Sequence, residues 1–175
     1  MTAYVSLLRG INLGPGSQIA MPELKQVYVE LGYRPVATYI RSGNVVFAAD
    51  DDADAVRGRI EAAVAQRLGM TVDVVVRTRQ DLVDVVARNP FPDADSTHLA
   101  VVFLSAPLPA ELVEQLAATD FGKDEYVGDG REIYLHLPNG FGRSKLATRM
   151  SALRRPVVGT VRNWRTVTKL IDMGA

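Results

Sequence analysis

Cysteine is absent from the 175 residues, which excludes disulfides, thiolate metal sites and a cysteine nucleophile. That suits a reducing compartment, and a cytoplasmic location is the expectation. Long apolar runs are missing too. The opening MTAYVSLLRGINL has no basic segment before its apolar stretch, and that stretch stops at Arg9. It is too short for a signal peptide or a membrane span, so no membrane partner is expected. Excess charge of either sign is lacking: twenty Lys and Arg balance twenty Asp and Glu. What is present is 47% hydrophobic residues, which excludes a disordered chain and suffices for one sizeable core or two small ones.

The balanced charges are segregated. From Ile133 to Ile171 there is no acid, yet Arg143, Lys145, Arg149, Arg154, Arg155, Arg162, Arg165 and Lys169 all fall there. Such separation predicts a negatively charged partner for the C-terminal part. The stretch GTVRNWRTVTKL, residues 159–170, contains the one tryptophan, Trp164, and reads as helical. Trp164 is expected to anchor that helix to a sheet, the alternative being a ring that stacks a base or a guanidinium.

Apolar periodicity gives the order of elements. Ala3 to Leu8 reads as a buried strand, followed by a loop with Gly10, Gly14, Pro15 and Gly16. Leu24, Val27, Tyr28 and Leu31 mark one helical face between Met21 and Gly32. Strands at Val36 to Ile40 and Val45 to Ala49 flank the turn Ser42-Gly43-Asn44. Asp50, Asp51, Asp52 and Asp54 surround the start of a helix from Ala53 to Leu68, where carboxylates suit the positive end of the dipole. A strand at Val72 to Val76 and a helix at Arg79 to Arg88 follow, with Thr78 and Asp81 spaced as a capping box. Asn89-Pro90-Phe91-Pro92 separates two halves.

The second half repeats the first. Its strands are expected at Leu99 to Leu104, Glu125 to Val127, Glu132 to Leu137 and Val157-Val158, with helices at Pro109 to Ala118 and Ser144 to Arg154 and over the Trp164 stretch. Arg77-Thr78 with Leu82 matches Arg165-Thr166 with Leu170 as a shared closing pattern. The fold class is therefore α+β: two tandem ferredoxin-like (βαββαβ) subdomains, residues 1–90 and 96–175, each followed by an extra helix.

That topology places the loop after strand one beside the hairpin after strand two, gathering Arg9, Asn12, Ser42 and Asn44 in the first half. At the opposite end of the second half it gathers Asn139, Arg143, Ser144 and Lys145 beside Arg162, Asn163 and Arg165. The expectation is that the two polar ends face each other across a cleft between the halves.

Arg9-Gly10-Ile11-Asn12, Tyr39 to Phe47, Asn89-Pro90-Phe91, Ser144-Lys145-Leu146 and Thr160 to Thr166 with Lys169-Leu170 together resemble a bacterial family known as domain of unknown function 1697. The resemblance covers nearly the whole chain. It implies a pair of ferredoxin-like subdomains and brings no activity, cofactor or catalytic residue with it.

Three chemistries are compatible with these residues. The first is an anionic or phosphorylated small molecule, a nucleotide among them. The glycine-bearing loops RGINLGPG and PNGFGRSK can present backbone N–H groups, and the ligand set is Arg9, Asn12, Ser42, Asn44, Ser144, Lys145, Arg162, Asn163 and Arg165. Neither loop has phosphate-loop or dinucleotide spacing, so their glycines also read as plain turn residues and Ser144 as a plain cap. The second is nucleic acid, although Phe47 alone stands where the RNA-recognition sheet wants a basic and aromatic run. The third is an enzyme on an anionic substrate, with Ser42, Ser144 and Thr166 as the hydroxyls and Lys145 or Lys169 as the bases. His98 and His136 both fall on expected strands and read as structural. No His and carboxylate cluster has ligand spacing, so neither metal nor cofactor is expected.

Overall fold

The computed structural model describes all residues, 1–175. It contains two four-stranded antiparallel sheets and six helices, an α+β architecture. No helix is long and apolar enough to cross a membrane. The chain falls into two compact units, one of residues 1–84 with 169–175 and one of residues 85–168.

The first unit runs β1 (Thr2–Leu8), α1 (Met21–Glu30), β2 (Val36–Tyr39), β3 (Asn44–Ala49), α2 (Ala53–Leu68), β4 (Val74–Thr78) and into α3 (Arg79–Ala87), with sheet order β2-β3-β1-β4. Alternation along β1 sends Tyr4, Ser6 and Leu8 to one face, where they meet Val45 and Phe47 of β3 and Val74 and Val76 of β4. Val56, Ile60 and Val64 of α2, spaced by four, and Leu24, Val27 and Tyr28 of α1 cover that face. Each such aliphatic side chain contributes about 1.5–3 kcal/mol on leaving water. One polar pair lies inside this core: Ser6 Oγ and Tyr28 Oη are 2.7 Å apart and satisfy each other. Local chemistry ends the helices. Asp52 accepts Ala55 N–H at the start of α2, and Gly69 closes it at φ 65°. Thr78 and Asp81 form the reciprocal box at α3, Thr78 N–H donating to Asp81 and Asp81 N–H to Thr78 Oγ1.

The second unit repeats this order. After a turn of 3-10 helix at Ser96–His98 come β5 (Leu99–Leu104), α4 (Ala110–Ala117), β6 (Glu125–Asp129), β7 (Glu132–His136), α5 (Lys145–Ser151), β8 (Gly159–Asn163) and the start of α6 (Trp164–Met173), with sheet order β6-β7-β5-β8. Every residue of β5 is buried. Ala100, Val102 and Leu104 face Leu116 of α4 and Leu146, Ala147 and Met150 of α5.

Three expectations change here. The closing strand lies at Gly159–Asn163, not at Val157-Val158, so the first five residues of GTVRNWRTVTKL are extended. Thr160 and Val161 are β-branched and favour a strand, and backbone pairing with β5 holds them there. The internal repeat also shifts. Arg77 lies opposite Val5 and Arg162 opposite Val101, and each donates from Nη1 to the carbonyl of the residue before it at 3.1 Å. Arg77-Thr78 therefore corresponds to Arg162-Asn163, because the shared feature is a buried arginine at a strand end, which Arg165 on α6 is not. A smaller correction concerns His98, which ends the 3-10 turn and is not on a strand.

Candidate functional site

In the first unit the loop after β1 and the hairpin after β2 meet. Asn12 bolts them together: its Nδ2 donates to Ile19 O at 3.1 Å and Arg41 O at 2.8 Å, while its Oδ1 accepts Ile19 N–H at 2.8 Å. Asn44 is fully buried and donates to Tyr39 O and Ser42 Oγ, both at 2.9 Å. Gly43, at φ 87°, lies so close to Leu8 and Ile11 that an added Cβ would stand 2.8 Å from each. Arg9 donates its backbone N–H to Asp73 O at 2.9 Å, and its side chain is half-buried. Among the residues singled out here, the amides of Asn12 and Asn44 therefore hold the loop in shape.

In the second unit β7 and β8 flank β5 and end on the same side, His136 opposite Leu99 and Asn163 opposite Ala100. The strand-end residues do different work there. Arg162 is 8% exposed and donates to Thr160 Oγ1 at 2.7 Å; burial pushes its guanidinium down to about 10, so it stays cationic at neutral pH. Asn163 Oδ1 accepts Thr166 N–H at 2.8 Å and caps α6. Arg165 is exposed and Trp164 half-buried.

Ser144 and Lys145, in the same unit, line a concavity of about 730 Å³. Two connections build it. Residues 120–124, between α4 and β6, contribute Asp120, Phe121, Gly122, Lys123 and Asp124; the loop before α5 contributes Asn139, Gly140 and Arg143. Arg162, Asn163 and Arg165 are not part of its lining. Both carboxylates already have donors. Asp120 accepts Gly122 N–H at 2.8 Å, and Asp124 accepts the Ser144 hydroxyl at 2.7 Å. Ser144 Oγ in turn accepts Ala147 N–H at 2.9 Å, so the hydroxyl is used on both sides as the cap of α5. Lys123, Arg143 and Lys145 are exposed and take part in none of the ion pairs of the chain. The lining carries three cations, Lys123, Arg143 and Lys145, against two carboxylates that each accept a hydrogen bond from a neutral donor and keep their charge, a net formal charge of +1 that can attract an anion. No group of three or more His, Asp and Glu side chains converges in a way that could hold a metal ion.

Lys123, Phe121 and the two aspartates are absent from the set that sequence reasoning singled out. They lie in an acid-bearing connection about twenty residues from Ser144, and only folding reveals that Asp124 meets Ser144. The hairpin signal Gly128-Asp129-Gly130 between them was the available clue, since a hairpin returns the chain toward its start.

The chain is similar to a conserved bacterial protein from Streptococcus pneumoniae, with a TM-score of 0.81 and 21% identity over 99% of each chain. At that identity the likeness shows a shared fold. None of the curated proteins matches. The family model described as a protein of unknown function matches residues 1–134, ending ahead of the loop that carries Asn139 and Arg143. By that match the chain belongs to the DUF1697 family.

Proposed function

We propose that this protein binds an anionic or phosphorylated small molecule in the concavity of its second unit. The observation that carries this is the combination of three exposed, unpaired cations, Lys123, Arg143 and Lys145, with two carboxylates already held by internal donors. A bound phosphate takes hydrogen bonds from the arginine fork and charge from the lysines. A volume of about 730 Å³ is within the range of small-molecule sites. Asn139 adds an amide that can donate to an oxyanion or to a polar group next to it. The β-α-β-β-α-β order and the strand order 2-3-1-4 support reading each unit as ferredoxin-like.

Calorimetric titration with inorganic phosphate tests this, comparing the native chain with Lys123→Gln/Arg143→Gln/Lys145→Gln. Saturable binding that the triple variant loses is the expected result. Binding that survives in the variant, or none in the native chain, removes the proposal. Tight binding of single-stranded RNA with a steep salt dependence, alongside no phosphate binding, would favour a nucleic-acid partner instead.

A further inference from the structure

We infer that the ligand carries a linear chain of phosphates, because the cationic rim of the site is shared by two concavities; this rests on the anion-binding reading above. Arg143, Ser144 and Lys145 line the cavity already described and also line a second, shallower one of about 430 Å³. The second concavity has no acidic lining residue and adds Thr148 and Arg149.

Arg149 follows Lys145 by four residues on α5, just over one helical turn or about 6 Å along the axis. Two cations at that spacing repel each other. The one polar contact of Arg149 is to the neutral Gln115 amide, at 3.5 Å. A single phosphate in the larger cavity engages Lys123, Arg143 and Lys145 and leaves Arg149 unmatched. A chain of phosphoanhydride-linked phosphates carries closely spaced negative charges and can reach from the first lining to the second, meeting Arg149 as well.

Two sources supply such a chain: an inorganic polyphosphate and the tail of a nucleoside triphosphate. For the second, Phe121 is the one aromatic side chain on the larger cavity, packed edge-on against Tyr126 with ring centroids 6.3 Å apart. A base stacking on Phe121 would share one lining with the cations that meet its phosphates.

Calorimetry in metal-free buffer with orthophosphate, tripolyphosphate and ATP decides the matter, using the native chain, Arg149→Gln and Phe121→Leu. Tripolyphosphate is expected to bind at least about tenfold more tightly than orthophosphate. Arg149→Gln should remove most of that gain while leaving orthophosphate affinity within about twofold. A loss of ATP affinity in Phe121→Leu, with tripolyphosphate unchanged, identifies the nucleotide as the source; equal behaviour of the two identifies the inorganic chain. If tripolyphosphate binds no better than orthophosphate, or Arg149→Gln changes neither, the phosphate-chain inference fails and simple anion binding stands. If orthophosphate does not bind at all, the underlying reading fails as well.

Discussion

Replacing Asn12 separates a structural role for this residue from a role in holding ligand. The side chain makes three hydrogen bonds, accepting from Ile19 N–H and donating to Ile19 O and Arg41 O, and its backbone sits at φ 56°. Each bond contributes about 0.5–1.5 kcal/mol net, toward the low end here because the site is partly open to water. Alanine in the left-handed region adds about 1–2 kcal/mol of strain that asparagine largely avoids. Asn12→Ala should therefore destabilise the fold by about 3 kcal/mol, a Tm decrease of about 6–12 °C for a chain of this length. Asn12→Gly removes the bonds but tolerates the backbone, and Asn12→Asp keeps the Ile19 N–H contact but loses both donors; each should cost less than alanine. Urea unfolding of the four proteins measures this order. An alanine variant within about 0.5 kcal/mol of native, or more stable than the glycine variant, would refute the account of Asn12 as the bolt between loop and hairpin. Phosphate affinity should be unchanged in all of them.

Further outcomes follow from other contacts. Gly43→Ala should cost about 3 kcal/mol, because its Cβ would meet Leu8 Cβ and Ile11 at 2.8 Å with φ at 87°; Gly58→Ala, in open space on α2, should instead stabilise by about 0.5–1 kcal/mol, and thermal melts will show whether the signs differ. Ser144→Ala loses the cap of α5 and leaves Asp124 without its donor, so stability should drop by about 2 kcal/mol and anion affinity should weaken in the same protein, both readable by calorimetry. Burial raises the phenols of Tyr28, Tyr33, Tyr4 and Tyr134 above their ordinary value. The folded chain then holds more protons than the unfolded one above about pH 10, so the stability these phenols contribute is intact below that pH and is lost as pH rises beyond it. Arg162, depressed by burial to about 10, works in the opposite sense over the same window, but it is one group against four. Tyrosinate absorbance of these residues should appear together with loss of circular dichroism; gradual ionisation of all of them in a folded protein would contradict the burial.

Much of the architecture was legible because local and long-range signals agreed. The helix Ala53–Leu68 and the strand Leu99–Leu104 have the same limits in the sequence reading and in the fold, since a run bounded by an acidic start and Gly69 and a run buried on both faces leave little choice. The Thr78 and Asp81 box was readable from spacing alone. β4 begins two residues later than its apolar run, because pairing with β1 rather than hydrophobicity sets its limits. β8 was misplaced for a related reason. Arg162 and Asn163 look like solvent-facing helix residues, yet pairing with β5 draws the first into a buried position and leaves the second to cap α6. The proposed site was half legible. Ser144 and Lys145 stood out by charge and loop chemistry, whereas Lys123 and Phe121 reach them only through the return of the β6-β7 hairpin.

The most direct measurement follows backbone amide resonances of isotopically labelled protein as inorganic phosphate is added. Saturable shifts should concentrate at Gly122, Lys123, Asn139, Gly140 and Arg143, the residues that line the cavity with its free cations. No saturable shift, or shifts confined to residues away from that lining, would contradict the claim that these cations form an anion site.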